Sequence, residues 1–67
     1  MQITVNNQSV VLSDLKTNIP MLLQQQGVQP SGTAVVLNGR LITKTKWDGC
    51  ILREGDDVIL ISAAFGG

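Results

Sequence analysis

Ile3 and Val5 alternate with Gln2, Thr4 and Asn6, the two-residue period of a strand that buries one face. Asn6-Asn7 tolerates positive φ, and an apolar pattern resumes from Ser9 to Leu12, so the chain is predicted to open with an antiparallel hairpin. The period then changes. Ile19, Leu22 and Leu23 have the i, i+3, i+4 spacing of a helical core stripe, while Gln24 and Gln25 face water. Thr17 or Asn18 can cap this helix, Pro20 falls in its first turn, and Gly27 can end it in the left-handed region, which predicts a helix of roughly Asn18 to Gln26. After a Gln29-Pro30-Ser31-Gly32 connector, Ala34 to Leu37 reads as a strand, Asn38-Gly39 as a tight turn, and Arg40 to Ile42 as the return strand. Polar Thr43 to Lys46 breaks the pattern before Trp47, and Cys50 to Leu52 is expected to add a short edge piece. Glu54-Gly55-Asp56-Asp57 is turn chemistry, and the branched run Val58 to Ile61 suits a central strand. Ser62 to Gly67 is expected to run out as a flexible finger of small residues interrupted by Phe65.

One helix against one sheet makes an α+β fold, with a mixed four- to five-stranded sheet. The first and last strands lie parallel if the helix is the crossover between them. Alternation along the last strand points Val58 and Leu60 at the helix-covered core and Ile59 and Ile61 at the opposite face. Together with Val36 these two isoleucines are candidates for an apolar docking patch.

At 67 residues the chain is expected to be one domain, 1–67, with a tail over 62–67. A chain near 60 residues buries only about 60% of its unfolded surface, and substrate pockets usually enclose about 300 to 1,000 Å³, so a self-contained enzyme is disfavoured. Five basic and five acidic side chains cancel, which removes the field that would steer the protein to nucleic acid or an anionic membrane face. Charged residues are 15% of the chain and hydrophobic ones 43%, a sticky mixture that calls for a protein partner. The single Cys50 forms no internal disulfide and, with no histidine in the chain, no Cys/His zinc site; a reducing cytoplasm fits. No basic start with a long apolar stretch marks a signal peptide, and the longest apolar run, Val58 to Ile61, is far short of the roughly 20 residues that cross a bilayer.

The residues of catalysis are missing: there is no histidine, no tyrosine and no glycine-rich phosphate loop. Glu54, Asp56 and Asp57 read as a solvated turn, Cys50 as a packed small hydrophobe, and Lys44 and Lys46 as solvated loop cations. Trp47 reads as a lid over the sheet edge with its indole N–H near water. That leaves the end of the chain, Gly66-Gly67. A free α-carboxyl titrates near 3.3 to 3.7, so at neutral pH it is an anion without a leaving group and must be activated. Joining it to AMP makes a mixed anhydride, and attack by a sulfur donor then leaves a thiocarboxylate. Glycine suits such a tail because the absence of Cβ lets it enter a narrow slot.

The combination of a terminal Gly-Gly, Ala34-Val35-Val36-Leu37-Asn38-Gly39, Leu41-Ile42, Trp47 and Glu54-Gly55-Asp56-Asp57-Val58 resembles the ThiS-type sulfur carriers of thiamine biosynthesis, over essentially the whole chain. The related molybdopterin-synthase small subunits share the ubiquitin-like β-grasp fold and the Gly-Gly end but tend to be longer, and a ubiquitin-like protein modifier uses the same activated end on a lysine. The resemblance implies that a ubiquitin-activating-like adenylyltransferase of the ThiF type, using ATP and magnesium, adenylates Gly67. A cysteine desulfurase relay then supplies sulfur, and thiazole synthase of the ThiG type accepts it. It makes Gly67 the modified residue, Gly66 and Phe65 the flexible tail, and the carrier itself a co-substrate that binds no cofactor. Two positions depart from the family: Thr43-Lys44 stands where many members have Pro-Arg, and Phe65 where small residues are common.

Overall fold

Asn6 and Asn7 take φ of 50° and 67°, and Asn38 and Gly39 take 51° and 81°, so both tight turns are built on residues that accept the left-handed region. In the computed structural model, which describes residues 1–62, the first turn joins β1 (Gln2–Val5) to β2 (Gln8–Val11) and the second joins β3 (Thr33–Leu37) to β4 (Arg40–Ile42). Between the hairpins runs α1 (Ile19–Gln26), and β5 (Asp57–Ser62) comes last. Asn18 is the helix cap: its Oδ1 accepts from the Met21 N–H at 3.0 Å. Pro20 lies in the first turn and Gly27, at φ 70°, closes the helix by donating to the carbonyls of Gln24 and Leu23.

The five strands form one mixed sheet in the order β2-β1-β5-β3-β4. β5 sits in the middle, parallel to β1 and antiparallel to β3, and the helix lies on the crossover from one hairpin to the other. Ile3 and Val5 from β1, Val35 from β3 and Val58 from β5 meet Ile19, Leu22 and Leu23 of the helix, all buried. Side chains of this size stabilise by about 1.5–3 kcal/mol each when fully buried, so this one layer of contact holds the sheet to the helix.

The structure revises three expectations. Cys50 to Leu52 forms no edge strand; Ile51 makes an isolated bridge to Asn18, while the Leu52 N–H donates to the Thr17 carbonyl at 2.8 Å and its side chain enters the core. Core burial of Leu52 fixes that segment against the helix start. Trp47 is 4% exposed and its indole N–H does not reach water: a short 3₁₀ turn, Lys44–Lys46, swings the ring inward so that Nε1 donates to the Ile42 carbonyl at 3.0 Å. The acidic turn is exposed, as expected, and its carboxylates also tie neighbouring segments together. Glu54 accepts from the Gln2 N–H at 2.9 Å, Asp56 from the Arg53 N–H at 2.8 Å and from Asn38 Nδ2 at 3.0 Å, and Asp57 from Thr4 Oγ1 at 2.7 Å. Ser62, expected in the tail, is the last residue of β5 and pairs with Thr33, because β3 is long enough to keep it in register. The expected flexible finger otherwise falls on residues 63–67, outside the described part of the chain.

Candidate functional site

The helix covers one face of the sheet and leaves the other bare, so the outward residues of β5 decide what that bare face presents. Val58 is fully buried and Leu60 packs against the core, while Ile59 is half-buried and Ile61 is 53% exposed on the opposite side. Register extends this into a row. Val36 lies opposite Ile59 across β3 and β5, and Leu41 lies opposite Val36 across β4 and β3. Directly opposed residues put their Cβ atoms about 4.5–5.5 Å apart, so Leu41, Val36 and Ile59 form one apolar strip across three strands. Ile61, opposite the small Ala34, continues it along β5 toward Ser62.

The other half of the same face is mainly polar. Thr4 and Asp57 are joined there, and Gln2 Nε2 donates to Ser9 Oγ; Val11 is the exposed apolar residue at the far edge. The bare face is therefore asymmetric, apolar on the side of β5, β3 and β4. The three residues expected to form a patch, Val36, Ile59 and Ile61, are brought onto one face. Leu41, 61% exposed, completes the strip and was missed from the sequence because a three-residue strand gives too little alternation to assign its faces. Gly67, Gly66 and Phe65 lie outside the described residues, separated from the end of β5 only by the residues that follow Ser62.

Elsewhere the side chains that carry chemistry are occupied or unsuited. Cys50 is half-buried at a groove of about 420 Å³ that also touches Arg40, Leu41 and Lys46. Burial pushes its thiol up from the ordinary value and the negative charge of Asp56 adds to the shift, so at neutral pH it stays protonated and is a poor nucleophile. Lys44 sits with Nζ 5.8 Å from the centre of the Trp47 ring, a cation–π contact. Among the described residues no group of three or more His, Cys, Asp or Glu side chains could hold a metal ion, and no helix is long and apolar enough to cross a membrane.

Known proteins resemble the chain in sequence and in fold. The model of the ThiS family matches residues 1–67. Sulfur carrier protein ThiS of Escherichia coli (strain K12) is 28% identical over 67 residues, covering 100% of both chains. The crystal structure of the thiamine biosynthesis protein ThiS from Geobacter metallireducens superimposes with a TM-score of 0.86 at 28% identity, over 100% of both chains. A solution NMR structure of a thiamine biosynthesis protein from Geobacter metallireducens gives a TM-score of 0.82 at 29% identity, over 100% of this chain and 88% of that one. With a match along its whole length and the same β-grasp sheet, the chain belongs to the ThiS family.

Proposed function

We propose that this protein is a sulfur carrier of thiamine biosynthesis and works through the carboxyl group of Gly67. The chain is a small carrier and not a catalyst, and it acts in the cytoplasm as a co-substrate of enzymes that hold the machinery. A ThiF-type adenylyltransferase joins Gly67 to AMP at the expense of ATP, with magnesium bound by the enzyme, and pyrophosphate leaves. A persulfide fed by a cysteine desulfurase then attacks the carbonyl carbon through its terminal sulfur and AMP departs; a thiol cleaves the acyl disulfide so formed, leaving with the donor sulfur as a disulfide, and the thiocarboxylate released gives its sulfur to ThiG-type thiazole synthase. Gly66 supplies slimness next to the reacting carbon, and Phe65 is the one side chain near the end large enough to grip a partner channel.

The observation that carries this reading is that β5, central in the sheet, bears Ile59 and Ile61 on the bare face and ends at Ser62, close in sequence to Gly66-Gly67. A partner seated on the strip of Leu41, Val36, Ile59 and Ile61 stands beside the exit of the tail it must modify. Such strips hold partners because a few well-packed apolar anchors dominate binding, each costing more than about 1 kcal/mol when truncated.

The double variant Ile59→Ser, Ile61→Ser tests the strip, since serine removes the apolar contact without entering the core. With the carrier as varied substrate and pyrophosphate release as readout, KM for the adenylyltransferase is expected to rise about tenfold or more, while circular dichroism shows a folded domain. An unchanged KM retires the docking strip. Failure of the wild-type chain to drive ATP-dependent pyrophosphate release contradicts the adenylation itself.

A further inference from the structure

The two-residue turn Asn38-Gly39 makes Leu37 and Arg40 a hydrogen-bonded pair of β3 and β4, and bonded and non-bonded pairs alternate along an antiparallel ladder. Leu41 therefore turns its N–H and carbonyl outward, because β4 is the last strand on that side of the sheet. Just beyond, the chain folds back on this edge. The Lys46 N–H donates to the Thr43 carbonyl at 2.9 Å, and the bond from Trp47 Nε1 to the Ile42 carbonyl ties the 3₁₀ turn to the end of β4. The groove of about 420 Å³ lies here, touching Arg40, Leu41, Ile42, Thr43, Lys46 and Cys50.

Its charge is one-sided. Three of the chain's five basic side chains fall within residues 40–46, a stretch without an acid. Two of them, Arg40 and Lys46, line the groove, and no acidic side chain among the described residues does. Both are exposed, and neither forms an ion pair among the described residues. The nearby acidic turn is engaged elsewhere: Glu54 with Gln2, Asp57 with Thr4, and Asp56, whose charge is felt at Cys50, with Arg53 and Asn38. Leu41 belongs both to this groove and to the strip of Val36, Ile59 and Ile61, so the two surfaces are continuous.

We propose that this groove receives an acidic segment of the adenylyltransferase, an extended stretch that carries a carboxylate beside an apolar side chain; the inference rests on the carrier reading above. The carboxylate meets Arg40 and Lys46, and the apolar side chain meets Leu41. The outward peptide groups of Leu41 offer the segment's backbone a donor and an acceptor, as a sheet edge does. A phosphate group uses only the cations and leaves the apolar part of the groove empty. Charges bordering an apolar contact speed encounter and reject wrong partners more than they add affinity, so the strip holds the enzyme and the groove selects it.

The double variant Arg40→Glu, Lys46→Glu replaces two attractions by two repulsions at exposed positions. A second double variant, Lys16→Glu, Arg53→Glu, changes the net charge by the same amount away from the groove and serves as control. Each carrier, shown to be folded by circular dichroism, is titrated into the cognate adenylyltransferase by calorimetry without ATP, in about 0.1 M and about 1 M sodium chloride, where screening shortens from about 10 Å to about 3 Å. The groove variant is expected to bind about tenfold or more weaker than wild type at the lower salt and within about threefold of it at the higher, with the control within about twofold throughout. A groove variant that binds like wild type, a control weakened equally, or a loss that salt does not relieve overturns the inference while leaving the carrier reading intact. So does inorganic phosphate that displaces the wild-type carrier more strongly than chloride of equal ionic strength, because the groove then takes a phosphate group. Failure of the wild-type chain to bind the enzyme or to drive pyrophosphate release overturns the carrier reading, and this inference with it.

Discussion

One alanine added after Gly67 is expected to abolish sulfur transfer while leaving the domain as stable as before. The added residue moves the carboxyl group on by about 3.3–3.6 Å and places a Cβ beside the carbon that must be attacked. Both changes fall on the reacting centre, where an error of about 1 Å can already cost about a hundredfold. Pyrophosphate release with the adenylyltransferase is therefore expected to drop by at least about a hundredfold, with the thermal midpoint unchanged because no described contact involves the added residue. Binding through the strip of Leu41, Val36, Ile59 and Ile61 should persist, which separates a carrier from a docking module: a module keeps its whole activity when extended. Transfer by the extended chain at the wild-type rate contradicts the reading.

The largest effect on stability is expected at Trp47. Its ring is 4% exposed, packs into the core cluster and is anchored by the bond from Nε1 to the Ile42 carbonyl. Truncating a buried tryptophan to alanine costs about 3–5 kcal/mol, because the apolar transfer energy is lost and a cavity is left. Folded domains hold only about 5–15 kcal/mol in total, and a small core lies toward the lower end. In a domain of this size each 1 kcal/mol moves the midpoint by about 4–8 °C, so Trp47→Ala is expected to lower it by about 15 °C or more. Trp47→Phe keeps most of the ring and loses the N–H donor, for an expected loss of about 1 kcal/mol from the bond besides the smaller ring. A thermal melt of Trp47→Ala that coincides with wild type contradicts the buried, anchored ring.

Local chemistry made much of this fold readable. The Asn6-Asn7 and Asn38-Gly39 turns follow from which residues accept positive φ, and the helix from its cap at Asn18, its Pro20 and its Gly27 stop. Alternation in Val58 to Ile61 assigned the two faces of β5, and the need for a crossover between first and last strands implied their parallel pairing, which the register bears out. What the sequence concealed depends on contacts between distant residues. The inward path of Trp47 requires the 3₁₀ turn before it and the Ile42 carbonyl five residues back; nothing in Thr43 to Lys46 signals either. Leu41 joins the strip only because β4 pairs with β3 in one particular register. Asn6 reads as a turn residue, and its second task, holding Leu60, appears only when the sheet order brings β5 beside β1. The diglycine end stands out for the opposite reason: the reactivity proposed for it belongs to the terminal carboxyl group and needs no neighbour in the fold.

The most direct measurement is the intact mass of the carrier taken from cells starved of thiamine, followed by fragmentation to place any change. The account predicts replacement of one oxygen by sulfur, located on Gly67. Cells that make thiamine while Gly67 stays an ordinary carboxylate, or that carry the sulfur as a persulfide on Cys50, would contradict it.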